Sequence, residues 1–214
     1  MEIRPYRTDD LNDLYAIALA TGYAGEDASS LFRDASLIGH IYAAPYASLK
    51  PELTWVAVDE QGVCGYIVGV EDTESWEDQL EDLWWPDLRS VYLDPDEQAL
   101  SRWTHDESYI KMMFTPERTP PVVSQSYPAH VHLNLHARAQ RKGVGSRLLQ
   151  RWLSAAAVRG FAGVHIAVNQ QNGAGMQFWR KQGFREIDVA GVQGGTVWMG
   201  LAVTEAGTHS DDDL

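Results

Sequence analysis

A strand, a glycine-bearing turn and a helix start follow one another between Val131 and Leu153. This run constrains the fold more than any other stretch. Val131, Leu133 and Leu135 alternate with polar neighbours, the period of a strand with one buried face. Leu148, Leu149, Trp152, Leu153 and Ala156 recur at helical spacing. Between them lies Gln140-Arg141-Lys142-Gly143-Val144-Gly145-Ser146. Glycines at 143 and 145 let the backbone approach a ligand and adopt dihedrals closed to other residues. The free N–H groups at the helix start and the helix dipole then favour an anion. A cofactor pyrophosphate is the best candidate.

The spacing excludes two common phosphate loops. A dinucleotide fingerprint needs a third glycine where Leu148 stands, and a Walker loop needs Gly-Lys-Ser/Thr after the turn. Charge narrows the partners. Seventeen basic and thirty acidic residues give −13, which opposes nucleic-acid binding by phosphate neutralisation. The distribution is uneven: Arg138, Arg141, Lys142, Arg147 and Arg151 crowd the turn, whereas Glu71 to Asp106 holds twelve acids against Arg89 and Arg102. Two readings stand for the acidic segment: a surface for a cationic substrate, or surface charge that keeps the chain soluble. No apolar run approaches the ~18 residues of a membrane span, no signal-peptide pattern opens the chain, and Cys64 is the only cysteine. A cytoplasmic location is expected, with neither a nucleic-acid nor a membrane partner.

A second motif completes the first. Asn172-Gly173-Ala174-Gly175-Met176-Gln177-Phe178-Trp179-Arg180-Lys181-Gln182-Gly183-Phe184 follows a predicted strand at Val164–Val168. Together the two stretches resemble the GCN5-related N-acetyltransferase (GNAT) superfamily, with its Gln/Arg-x-x-Gly-x-Gly/Ala loop and later Asn…aromatic…Gly-Phe motif. Further runs are similar to a bacterial subgroup that resembles the C-terminal acetyltransferase-like domain of O-GlcNAcase. They include Thr21-Gly22…Gly25-Glu26-Asp27, Pro45-Tyr46, Trp85-Pro86-Asp87 and Tyr127-Pro128-Ala129-His130. The resemblance spans residues 2–200. It implies an α/β (α+β) fold: a single domain over residues 1–203, with a mixed, mostly antiparallel central sheet flanked by helices. Residues 71–128 form an acidic, Trp-rich elaboration of it, and 204–214 an acidic flexible tail.

The resemblance also implies acetyl-CoA as cofactor and an amine acceptor, on a peptide lysine or a small molecule. Gln140, Arg141, Lys142, Gly143, Val144, Gly145 and Ser146 would hold the pyrophosphate. Leu133, Asn134 and Leu135 would line the pantetheine arm, with Asn172 opposite and Trp179 where relatives carry a tyrosine acid. Indole is no usable acid, so Tyr66, Tyr92 or Tyr127 would replace it, or the thiolate would leave unassisted. Asn134 occupies a position expected to be acidic. The base is then His132 or Asp27. His130, His132 and Asn134 share one strand face. Some arylalkylamine acetyltransferases carry His-x-His on this strand one residue out of step, and a bulge would restore the match. Hydrogen-bonded structural histidines are the competing reading, and a metal cluster of His130, His132, His136 and His165 a third. The expected reaction needs no metal. Asp27 is either a cation contact or base, or the cap of a helix through Leu31 and Phe32. A catalytically inactive acetyltransferase-like binding module is the alternative function.

Elsewhere strands are expected at 3–6, 53–58, 63–70, 184–189 and 196–201, the last at a sheet edge where a homodimer would pair. Thr8 should cap a first helix, Pro86 should break one around Leu80–Leu88, and the proline-punctuated remainder of 71–128 should be irregular.

Overall fold

A computed structural model describes residues 1–189 and 195–203. The first strand, β1 (Glu2–Pro5), leads through a 3-10 turn into α1 (Leu11–Ala20). The turn is tied by Asp10, not Thr8. Its carboxylate accepts the Arg7 amide at 2.8 Å and a two-pronged contact from Arg4 at 2.7 Å. The Arg4 guanidinium therefore holds the Asp10 carboxyl below its usual range. Helices α2 (Leu37–Tyr42) and α3 (Ala44–Leu49) precede the hairpin β2 (Trp55–Asp59) and β3 (Gly62–Val70).

The expected helix through Leu31 and Phe32 does not form. Asp27 accepts the Ser29 amide, Asp34 accepts the Ser36 amide, and Asp106 reaches across to the amides of Arg33 and Asp34. Short carboxylates that bond nearby amides offer the backbone an alternative to helix.

Residues 71–128 are more helical than expected. They form α4 (Thr73–Leu83), α5 (Trp85–Val91), a 3-10 turn, α6 (His105–Phe114) and the short α7 (Pro121–Ser124). The break at Trp84 precedes Pro86, as its ring requires. Trp76, Leu80, Trp85 and Met113 join one core with α1, α2 and α3.

The second half runs β4 (Ala129–Leu135), α8 (Val144–Val158), β5 (Gly163–Asn169), α9 (Gly173–Lys181), β6 (Arg185–Glu186) and β7 (Thr196–Ala202). The strand order is β1-β2-β3-β4-β5-β7-β6, antiparallel throughout except for β4 and β5. Thus β7 lies between β5 and β6 in the strand order and is not the edge strand expected, although β6 pairs with it only at Met199 and Gly200. The strand expected over 184–189 is only the two residues of β6; residue 190 and those to 194 lie outside the described set, as does the expected tail.

One face of the sheet packs against α1–α6, the other against α8 and α9. Val144, Leu148, Leu149, Trp152 and Ala156 form the buried stripe of α8 on the second face. β4 and β5 pair only at Ala129–Val164 and His130–His165, then diverge. The register of β4 against β3 is continuous from His130 to Leu135, without a bulge.

Candidate active site

The divergence of β4 and β5 leaves a wedge open toward their C-terminal ends. The His136 amide donates to Cys64 on the β3 side at 2.9 Å. Alternation along the strand then turns the peptide groups of Leu133 and Leu135 the other way, into the wedge. Their side chains pack on the α8–α9 core.

The glycine turn stands at the mouth of this wedge. Gly143 caps α8 with φ +74° and ψ 3°, a left-handed conformation that favours glycine. A Cβ at Gly143 would meet open space, whereas one at Gly145 would stand 3.2 Å from the Phe178 ring. Arg141 is also left-handed, at φ 57°. The first-turn amides of α8 have no intrahelical acceptors by geometry, and no side chain caps them. Arg141, Lys142 and Gly143 are exposed, Ser146 is half-buried, and Val144 is buried beneath the turn. Gln140 donates to the Leu135 carbonyl at 3.0 Å, pinning the turn to the end of β4. Open amides, bare glycine and nearby cations fit a diphosphate group.

The opposite face carries a second feature. A cavity of about 520 Å³ lies over β4, β5 and β7, walled by α4 and the segment from Lys111 to Thr119. His130, His132 and His165 line it with Tyr42, Trp76 and Trp198. Glu77, Glu81 and Glu117 bring acid to the wall, but Arg118 pairs with Glu77 and Arg89 with Glu81.

Tyr46 joins two of the histidines. Its hydroxyl lies 2.8 Å from His130 Nε2 and 3.1 Å from His132 Nε2. Thr73 Oγ1 meets His130 Nδ1 at 2.8 Å, and His165 Nδ1 meets the Tyr127 carbonyl at 2.6 Å. Burial drives the His130 pKa well below its ordinary value and His132 down to about 4, with neighbouring His165 adding to both. Both rings are neutral at pH 7. Neither Tyr46 nor Thr73 stands out in the sequence as a partner of these histidines, from which they are separated by 57 to 86 residues.

The remaining nominated residues divide. Asp27 is exposed, and its hydrogen bonds with the Ser29 hydroxyl and amide lower its pKa. Asn134 shares the histidine face but donates its amide to Thr21 Oγ1 at 2.7 Å. Asn172 caps α9, accepting the Gly175 amide at 2.8 Å. Trp179 is buried against Phe178 and Phe184. Tyr66 and Tyr92 have pKa values raised by burial, and Tyr92 donates to Asp34. Tyr127 packs across Gly163 and Gly200.

The metal alternative finds no geometry. His136 turns away to accept the Arg138 amide, and both His130 nitrogens are engaged. Among the described residues no three His, Cys, Asp or Glu side chains are grouped to hold an ion. No helix among them is long and apolar enough to cross a membrane.

Comparison with known proteins places the arrangement. The acetyltransferase (GNAT) domain family matches residues 93–204. The crystal structure of SsHAT is 32% identical, with a TM-score of 0.87 over 95% of this chain and 98% of that one. O-GlcNAcase of Rattus norvegicus is 24% identical over 188 residues, 86% of this chain. This chain spans only about a fifth of the length of the curated O-GlcNAcases it matches. A GNAT superfamily phosphinothricin acetyltransferase of Sinorhizobium meliloti, crystallised with acetyl-CoA, shares the fold. It is 15% identical, with a TM-score of 0.53 over 95% of this chain and 89% of that one.

Proposed function

The chain belongs to the GNAT acetyltransferase family, and we propose that it transfers an acetyl group from acetyl-CoA to the amine of a peptide lysine or small molecule. One observation carries this reading. The uncapped glycine turn and the histidine-lined cavity approach the same β4–β5 wedge from opposite faces of the sheet. A donor entering from one face and an acceptor from the other would meet at the wedge.

Backbone amides from Arg141 to Ser146 bind the pyrophosphate, with Arg141 and Lys142 adding charge. The peptide groups of Leu133 and Leu135 orient the pantetheine arm, and Asn172 bounds the wedge opposite them. Bound acetyl-CoA supplies an activated acyl thioester. His132 takes the acceptor's proton, since its ring is neutral and opens on the cavity. Asp27, exposed two residues after Gly25, which abuts Asn172, serves as a contact for a cationic acceptor. Cys64, the sole cysteine, is buried and unpaired, which agrees with a reducing cytoplasm.

A binding module without turnover is the second reading, favoured by Trp179, which puts an indole where the usual acid would stand. Calorimetry with acetyl-CoA, followed by thiol release across a panel of amines and lysine peptides, separates the two. Acetyl-CoA binding with amine-dependent thiol release is the expected result. Binding without release from any acceptor supports the second reading, and no binding overturns both.

A further inference from the structure

The hydrogen bonds around Tyr46 have a direction. Thr73 Oγ1 lies 2.7 Å from the Pro128 carbonyl, which can only accept, so the Thr73 proton must lie between them. The Thr73 oxygen is then an acceptor toward His130, whose Nδ1 must carry a hydrogen. A neutral His130 with Nδ1–H has a bare Nε2. That nitrogen accepts the Tyr46 hydroxyl proton at 2.8 Å. With its one hydrogen spent, the Tyr46 oxygen accepts from His132 Nε2–H at 3.1 Å.

We infer that Thr73, His130 and Tyr46 form a one-way hydrogen-bond chain that fixes His132 as its Nε2–H tautomer, leaving Nδ1 as the lone pair that receives the acceptor's proton. No described group hydrogen-bonds His132 Nδ1, and the ring lines the cavity. The inference rests on the acetyl-transfer reading and names the atom that serves it. The amine nitrogen forms the N–C bond with its lone pair. Its surplus proton passes to Nδ1, the C–S bond breaks with its electron pair on sulfur, and the proton returns from Nδ1 to the thiolate. Nothing is left over, and no tyrosine acid is required. Tyr46, His130 and Thr73 are positioning residues: they set which nitrogen is bare.

Nitrogen-15 NMR of the histidine rings tests the chain without any ligand. In the wild-type protein at pH 7, His132 should show a protonated Nε2 and a bare Nδ1, and His130 the reverse. Tyr46→Phe should leave His132 in a mixture of tautomers and lower kcat in proportion to the Nδ1–H fraction that NMR reads, with acetyl-CoA affinity unchanged. Thr73→Val should loosen His130 first and reduce kcat less. Thr73→Ser, which keeps the hydroxyl, should restore both. A protonated His132 Nδ1 in the wild type, or a single unchanged tautomer in Tyr46→Phe, overturns the chain. The expected tautomers with full turnover in Tyr46→Phe overturn the role of Nδ1. The expected tautomers with no wild-type turnover overturn acetyl transfer, and Nδ1 with it, while leaving the chain standing.

Discussion

The two faces of the wedge are built in opposite ways. On the α8 face the groups proposed to bind the cofactor are consecutive peptide amides, and the side chains matter mostly by being small. On the other face the groups are side chains from α3, α4, β4, β5 and β7, brought together only by folding. A backbone-built site is local and survives most substitutions that keep its glycines. A side-chain-built site is non-local and depends on every member for its protonation pattern.

Substitutions that strike one face and spare the other should break this comparison or sharpen it. The largest effect is expected from Gly143→Asp, which adds bulk and like charge at the turn. Acetyl-CoA affinity should fall more than 100-fold by calorimetry, while the left-handed backbone costs only about 1–2 kcal/mol of stability. Unchanged affinity would mean that the turn is not the pyrophosphate site. His132→Gln should do the reverse: acetyl-CoA binding is retained, and amine-dependent thiol release falls by roughly 10²–10⁴, the range of a lost acid–base group.

The histidine face should also mark the stability of the fold. Folded His132, at about 4, lies below its ordinary value, so the unfolded chain binds more protons between pH 6.5 and 4. Stability is therefore full above pH 6.5 and falls as pH drops toward 4, by roughly 1.4 kcal/mol per unit of depression. Urea midpoints measured from pH 7 to 4 should show this slope, and His132→Gln should reduce it, the remainder coming from His130 and His165, which burial also depresses. A slope of the same size in that variant would assign it to other groups. The smallest effect is expected from Arg141→Gln with Lys142→Gln. Both side chains are exposed, so affinity should drop a few-fold at low salt and converge on wild type at high salt.

Legibility in the sequence followed the same division. The glycine turn, the α8 stripe and the Asn172 motif are contiguous, and periodicity and spacing sufficed to locate them. The wedge shows only in the two-residue pairing of β4 with β5. What the prolines concealed was α6. Yet Thr104 and Glu107 form a capping box, a Thr-x-x-Glu signal present in the sequence. The helix expected at Leu31 and Phe32 was lost to aspartates that bond local amides. The edge position expected for β7 depended on where β6 pairs, which no local pattern reveals. Tyr46 and Thr73 could not be paired with His130 from the sequence, because a hydrogen-bond chain across three elements leaves no spacing behind.

The segment after α1 touches both sides of the wedge. Thr21 holds Asn134 on β4, and Gly25 lies so close to Asn172 that a Cβ would stand 3.2 Å from its side-chain amide. One short loop thus braces both jaws of the wedge, β4 and the start of α9. The jaws cannot spread without drawing Thr21 from Asn134 or sliding Gly25 off Asn172. The gap proposed to admit acetyl-CoA is bounded on both sides by groups that this one loop holds.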